Sequence, residues 1–183
     1  VLLVWFLARR MFDDSTGLSA GIVLATSPLV VVFAREVIFD MTLTLFVTAA
    51  MVCYWLRETG SEQRKLLDIL FFGAMGLATL TKGPVGFLLP MLSIGVYQAL
   101  RGKFARLKDL NWSLGLVTFL AVTLPWFIPL SLRHPDFPGY AFWQESLERF
   151  ATGHSHRVGP VYYYLIIYLA GFLPWCFFLL YAA

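Results

Sequence analysis

Trp112-Ser-Leu-Gly-Leu-Val-Thr-Phe-Leu-Ala-Val-Thr-Leu-Pro-Trp-Phe-Ile-Pro-Leu130 contains no Asp, Glu, Lys or Arg. About 20 apolar residues, rising 1.5 Å each in a helix, cross roughly 30 Å of hydrocarbon. The stretch therefore predicts a membrane-spanning helix. Five more charge-free stretches share its character: Leu18–Ala34, Met41–Leu56, Ile69–Leu80, Val85–Leu100 and Val161–Ala183. A shorter apolar run, Val1–Ala8, precedes them. Backbone N–H and C=O groups find no water in the bilayer core, so repeated spans of this length must be helical. The fold class that follows is all-α, a polytopic transmembrane helical bundle of about six spans plus a truncated one.

Composition agrees. Of 183 residues, 59% are hydrophobic, 17% aromatic and only 14% charged, and the mean hydropathy is +0.73. A soluble domain of this size carries nearer a quarter charged residues. Residues 1–183 read as a single transmembrane domain. The chain opens without Met on a half-length apolar run and stops inside another, so it reads as incomplete at both ends.

Threading the spans alternately sorts the basic residues by side. Arg9, Arg10, Arg57, Arg64, Lys65, Arg101, Lys103, Arg106 and Lys108 fall on one side, nine in all. Arg35, Lys82, Arg133, Arg149 and Arg157 fall on the other, five in all. The positive-inside rule makes the first side cytoplasmic and the second periplasmic or outer. The net charge of +3 is then a topology signal, and nucleic acid is not an expected partner. Cys53 and Cys176 lie inside apolar stretches with no Cys-x-x-Cys pattern, as packing residues do.

The cytoplasmic connectors are short, mixed in charge and expected to be solvated. The outer connectors are unusual. Arg35-Glu36-Val-Ile-Phe-Asp40 follows a 16-residue apolar run, Leu18–Phe33, which is only about 24 Å of helix. Such a span holds these charges at or just below headgroup depth, where ionisable groups face a cavity or a partner. If the segment is helical or a tight helix-to-helix turn, Glu36 and Asp40 share a face with Arg35 beside them. Thr81-Lys82-Gly83-Pro84 follows an even shorter run. Pro84 ends the local helix pattern, Gly83 permits a tight turn, and Lys82 stands beside the N–H groups opening the next helix. Lysine and a helix N-terminus together favour an anion such as phosphate, whereas a lysine snorkelling to ordinary lipid is the plainer alternative.

The longest outer connector, residues 131–159, holds all three histidines. Within it Tyr140, Trp143, Leu147 and Phe150 form a helical stripe, with Glu145, Glu148 and Arg149 between them. That pattern predicts an amphipathic helix lying in the membrane interface. His154 and His156 follow at a spacing of two, a weak metal signal, because helical ligand pairs favour three or four. Glu145 and His154 are the metal candidates, and a divalent metal ion is the one cofactor the pattern leaves open. Tyr162-Tyr163-Tyr164 reads as an interfacial aromatic belt.

Taken in order, these motifs carry a resemblance. Leu24-Ala-Thr-Ser-Pro28 comes first, then Ala34-Arg35-x4-Asp40-Met-x-Leu-Thr, then Thr81-Lys82-Gly83-Pro84-x5-Pro90. Glu145-x-x-x-Arg149-Phe150, His156-x3-Pro160-x-Tyr-Tyr-Tyr and Leu173-Pro174-Trp175 complete the series. Together they resemble the polyprenyl-phosphate-sugar-dependent glycosyltransferases related to protein O-mannosyltransferase and to the aminoarabinose transferase of lipid A.

The resemblance implies a bundle of the GT-C type acting on the outer side of the inner membrane. Its partners would be a polyprenyl-phosphate-linked sugar donor, a lipid, glycan or protein acceptor, and membrane lipids. It implies catalytic roles for Asp40 and Glu36, with Asp40 matching the family's second outer acidic position. Arg35, Lys82, Arg149 and His156 would hold the lipid phosphate. The principal acid of such families lies in an outer loop expected upstream of Val1. In the aminoarabinose branch a histidine follows the glutamate of the interfacial helix, and here Ser146 stands there, which argues against that exact sugar. The alternative class is a membrane transporter of a small anionic or lipid substrate. It predicts ionisable residues near mid-membrane in matching repeats, and the apolar stretches contain none.

Topology is open to direct test by single-cysteine labelling of the full-length protein lacking Cys53 and Cys176. An impermeant reagent on intact cells is expected to label Pro138→Cys and to spare Ser61→Cys. The opposite pattern would invert the assignment.

Overall fold

The computed structural model describes residues 1–36, 39–60, 62–139 and 161–178, and all regular structure among them is helical. The chain forms two compact units. One comprises Val1–Met41 with Gly153–Ala183, the other Thr42–Thr152.

The first unit begins with α1 (Leu2–Met11) and α2 (Asp14–Thr26). Asp13 caps α2, its carboxylate accepting from Ser15 Oγ at 2.6 Å and from Thr16 N at 2.8 Å. The Ser15 bond, then the Thr16 bonds, hold that carboxyl down to about 2. The two helices approach closely because small residues line their contact. A Cβ on Gly17 would fall 2.7 Å from Arg9 Cβ, and one on Gly21 would fall 3.3 Å from Trp5 Cβ.

The run Leu18–Ala34, expected to be one span, is broken. α2 ends at Thr26 and α3 (Pro28–Arg35) departs at 60°. Pro28 has no N–H to continue the α2 ladder, and as the first residue of α3 it starts a new helix instead. Ser27 is pulled back onto α2, donating to Val23 O at 2.6 Å. The run Val161–Ala183 is also interrupted. Its helix covers Val161–Gly171, and a 3-10 turn follows at Trp175–Phe178. Pro174 removes a donor and disfavours helix at Leu173.

The second unit carries most of α4 (Phe39–Glu58), then α5 (Arg64–Lys82), α6 (Val85–Leu100), a 3-10 helix (Phe104–Asp109), α7 (Trp112–Arg133) and the single turn α8 (Phe137–Gly139). Of the six spans expected, among the described residues only α4 and α7 are each long and apolar enough to cross a membrane, or three if the bent α2–α3 pair counts as one, and α6 is shorter. α5 is the hub. Its face Leu67–Asp68–Phe71–Phe72–Met75 is buried, and Tyr54 of α4 and Ile94 of α6 join the same core. Glycines again set the closest approaches. A Cβ on Gly115 would overlap the Phe72 ring, and one on Gly76 would lie 3.0 Å from Val122.

One end of this unit is held by polar contacts in connectors that their composition assigns to solvent. Arg57 Nε stands 2.5 Å from Asp68 Oδ1, and both side chains are buried, 6% and 3% exposed. The pair is a charge contact rather than an aligned hydrogen bond at those two atoms. Arg57 also donates to Asp109 O, and Asp68 Oδ2 accepts from Asn111 N at 3.2 Å. Arg106 pairs with Glu58, and Gln98 Nε2 donates to Tyr54 OH at 2.7 Å. Connectors expected to be solvated are therefore interlocked. Asp68 is the reason: it falls on the buried face of α5, where a carboxylate requires a cation.

Removing one partner of a buried pair leaves an unpaired charge and costs about 3–5 kcal/mol, whereas replacing both with apolar residues is often neutral. Arg57→Met and Asp68→Leu should each lower the thermal midpoint of the full-length detergent-purified protein sharply. The double variant should recover most of the loss. Singles costing under about 1 kcal/mol would mean that the pair is solvated.

Candidate active site

Arg35 closes α3 and Asp40 lies in the first turn of α4. A cation at a helix C-terminus and an acid at a helix N-terminus each complement the local dipole. Between them Glu36 leaves the helix, with φ −84° and ψ 140°. Its N–H still donates to Val32 O at 3.2 Å. Glu36 and Asp40 therefore do not share a face of one continuous helix, because extended backbone at Glu36 separates α3 from α4. Arg35 and Glu36 are exposed, and Asp40 is half-buried.

Lys82 is the last residue of α5 and is exposed. Gly83 then takes φ 71° and ψ −151°, a conformation essentially restricted to glycine. Pro84 caps the start of α6. Gly83 N donates to Thr79 O at 2.8 Å, and Gly86 N donates to Gly83 O at 3.0 Å. Gly86 seats α6 against the α5 backbone, where a Cβ would overlap Ala78. The ammonium of Lys82 is thus carried on a narrow, well-fastened hairpin of helices.

Two of the sequence motifs meet within the first unit. Trp175 Nε1 of Leu173-Pro174-Trp175 donates to Thr26 Oγ1 of Leu24-Ala-Thr-Ser-Pro28 at 2.9 Å. Nearby, Gly171 packs onto α3, where a Cβ would lie 2.7 Å from Leu29 Cβ. These contacts brace the bend from which α3 delivers Arg35 and Glu36.

Arg149, His156, Glu145 and His154, with the expected interfacial helix Tyr140–Phe150, lie outside the described residues. Among the described residues no three His, Cys, Asp or Glu side chains gather as a metal site. Asp40 belongs to the first unit and Lys82 to the second.

The dolichyl-phosphate-mannose-protein mannosyltransferase family model matches residues 1–141. The chain belongs to that family. Its relatives include an undecaprenyl phosphate-alpha-4-amino-4-deoxy-L-arabinose arabinosyl transferase of Erwinia tasmaniensis, 35% identical over 177 residues and 95% of this chain. The transferase of the same name from Edwardsiella ictaluri is 32% identical over 95% of the chain. The chain spans about a third of these relatives' length, 32% of each. Among solved structures it superposes on ArnT from Cupriavidus metallidurans bound to undecaprenyl phosphate, with a TM-score of 0.89. Identity there is 32%, over 96% of this chain and 32% of that one. The apo form of the same protein gives a TM-score of 0.83 at 30% identity, with the same coverage. This member of the mannosyltransferase family is a multi-pass integral membrane protein with the helical GT-C fold.

The turn carrying Lys82 makes a sharp prediction. Gly83→Ala forces a side chain into glycine-only backbone and should cost about 1–3 kcal/mol. Gly95→Ala, in α6 with nothing within 4 Å of the added methyl, should be neutral or slightly stabilising. Thermal unfolding of the two full-length variants compares them directly. Equal midpoints would show that the turn is not constrained at Gly83.

Proposed function

We propose that this protein transfers a sugar from a polyprenyl-phosphate carrier to a lipid, glycan or protein acceptor on the periplasmic side of the inner membrane. The observation that carries the reading is the close superposition on a relative solved with undecaprenyl phosphate, combined with charges held at helix ends in an apolar bundle. The names of its relatives, arabinosyl transferases, favour a pentosyl over a hexosyl donor. Lipid A is the acceptor that the aminoarabinose branch suggests.

The chemistry follows from the residue types. The acceptor hydroxyl attacks the anomeric carbon of the donor, the bond from that carbon to the phosphate oxygen breaks, and the hydroxyl proton passes to a carboxylate. The phosphate leaves with the bonding electron pair, so its charge rises through the transition state. Lys82, Arg149, Arg35 and His156 are the groups proposed to stabilise it. Asp40, with Glu36, orients the acceptor, and the principal base is the acid of the family's first outer loop.

Sugar transfer from a polyprenyl-phosphate donor in membranes tests the assignment. Lys82→Ala removes a charged hydrogen bond worth about 1.5–3 kcal/mol, so the donor KM should rise by roughly one to two powers of ten. Asp40→Asn should lower kcat on the order of 100-fold without lowering the thermal midpoint. Wild-type kinetics in both variants would remove these two charges from the proposed site.

A further inference from the structure

We infer that the end of the second unit bearing the 3-10 helix Phe104–Asp109 is a docking surface for anionic phospholipid headgroups. The inference is independent of the transferase reading. Two candidate spans have an end here, α4 finishing at Glu58 and α7 beginning at Trp112. The 3-10 helix therefore lies at the level where hydrocarbon gives way to headgroups. Apolar residues in and just before it point outward rather than into the core: Leu100 is 84% exposed and Phe104 60%. In water such side chains would be a liability, whereas at a bilayer boundary they insert.

The charges beside them are sorted into two sets. Arg57 is buried against Asp68, and Arg106, itself exposed, is paired with Glu58. The remaining cations, Arg64, Lys65, Arg101, Lys103 and Lys108, are exposed. Among the described residues of these connectors, Glu62 and Asp109 are the exposed acids that oppose them. The surface also has a fixed shape. Arg57 grips Asp109 O, Arg106 grips Glu58, Lys103 N donates to Gln98 O at 2.9 Å, and Trp112 Nε1 donates to Leu107 O at 2.9 Å. Arg101 is steadied along Tyr97, whose hydroxyl accepts from it at 2.5 Å. The cations therefore present a preset array rather than a floating loop, which lowers the ordering cost of binding a phosphodiester. Charge complementarity selects an anionic over a zwitterionic headgroup.

The test uses the full-length protein in nanodiscs or detergent, offered phosphatidylglycerol and phosphatidylcholine of matched chains, with bound lipid counted by native mass spectrometry. The wild type should enrich phosphatidylglycerol, and added salt should erase the enrichment. The variant R101Q/K103Q/K108Q should lose roughly fivefold per cation at low salt. Arg133→Gln, at the far end of α7, should retain wild-type enrichment. The salt titration of the wild type stands by itself should the triple variant fold poorly. Equal binding of the two lipids by wild type, or unchanged enrichment in a folded triple variant, would overturn the proposal. So would release of an acidic protein partner by the triple variant with phosphatidylglycerol binding intact.

Discussion

The Arg57–Asp68 contact is the constraint around which the second unit is arranged. Once α5 turns the face Leu67–Asp68–Phe71–Phe72 inward, a carboxylate is carried into a low-dielectric interior, while Arg64 and Lys65 of the same helix stay exposed. Arg57, in the last turn of α4, supplies the charge and then has donors to spare for Asp109 O. The second oxygen of Asp68 accepts from Asn111 N, while the Asn111 side chain caps α7 by accepting from Leu114 N at 3.2 Å. One buried acid thus ties the end of α4, the start of α5, the 3-10 helix and the start of α7 to a common point. Lipid tails are as apolar as leucine and give helices little reason to prefer one partner. Polar contacts of this kind, with glycine-mediated approaches at Gly76, Gly86 and Gly115, supply the missing specificity.

Helix breaks do comparable work in the first unit. Pro28 and Pro174 are both visible in the sequence, yet the apolar runs around them continue straight through. A run of hydrophobic residues reports only that a segment avoids water. It does not distinguish one straight span from two shorter helices meeting at 60°. The proline lacks a donor in either case, and the outcome depends on what compensates the freed carbonyls and braces the bend. Here Ser27 turns back to Val23 O and Trp175 reaches Thr26, a contact between residues 149 positions apart. No local pattern announces it.

The helical membrane fold was legible because hydrophobic length is a one-dimensional signal. The charge-free stretch Trp112–Leu130 carries that signal alone, and α7 (Trp112–Arg133) reproduces it. The turn at Lys82-Gly83-Pro84 was legible for a different reason: glycine followed by proline leaves few backbone choices, and Gly83 at φ 71° takes one of them. That Glu36 leaves the helix, with ψ 140°, was not legible, because nothing in the local sequence stops α3 before it. The buried pair was within reach. Asp68 recurs on the same stripe as Leu67, Phe71, Phe72 and Met75, and an acid on an apolar stripe calls for a cation at a helix end nearby.

The two ends of α5 show opposite treatments of charge. Near Arg64, the buried acid is neutralised by a cation brought from another helix, and a second ion pair closes over the same end. At Lys82, the far end of this 19-residue helix, the side chain is exposed on a hairpin whose backbone is fixed by glycine contacts. Ordering a lysine costs side-chain entropy, and a support that cannot shift leaves only the side chain's own rotamers to be ordered when an anion binds. The proposed role of Lys82 at the lipid phosphate draws on that arrangement, because a rigid hairpin sets where the ammonium can reach. At the interlocked end Arg57 and Arg106 are engaged in holding helices together, and mobility there would cost the register of the bundle. Rigidity at the two ends thus has different origins, ion pairs between helices at one and close backbone packing at the other.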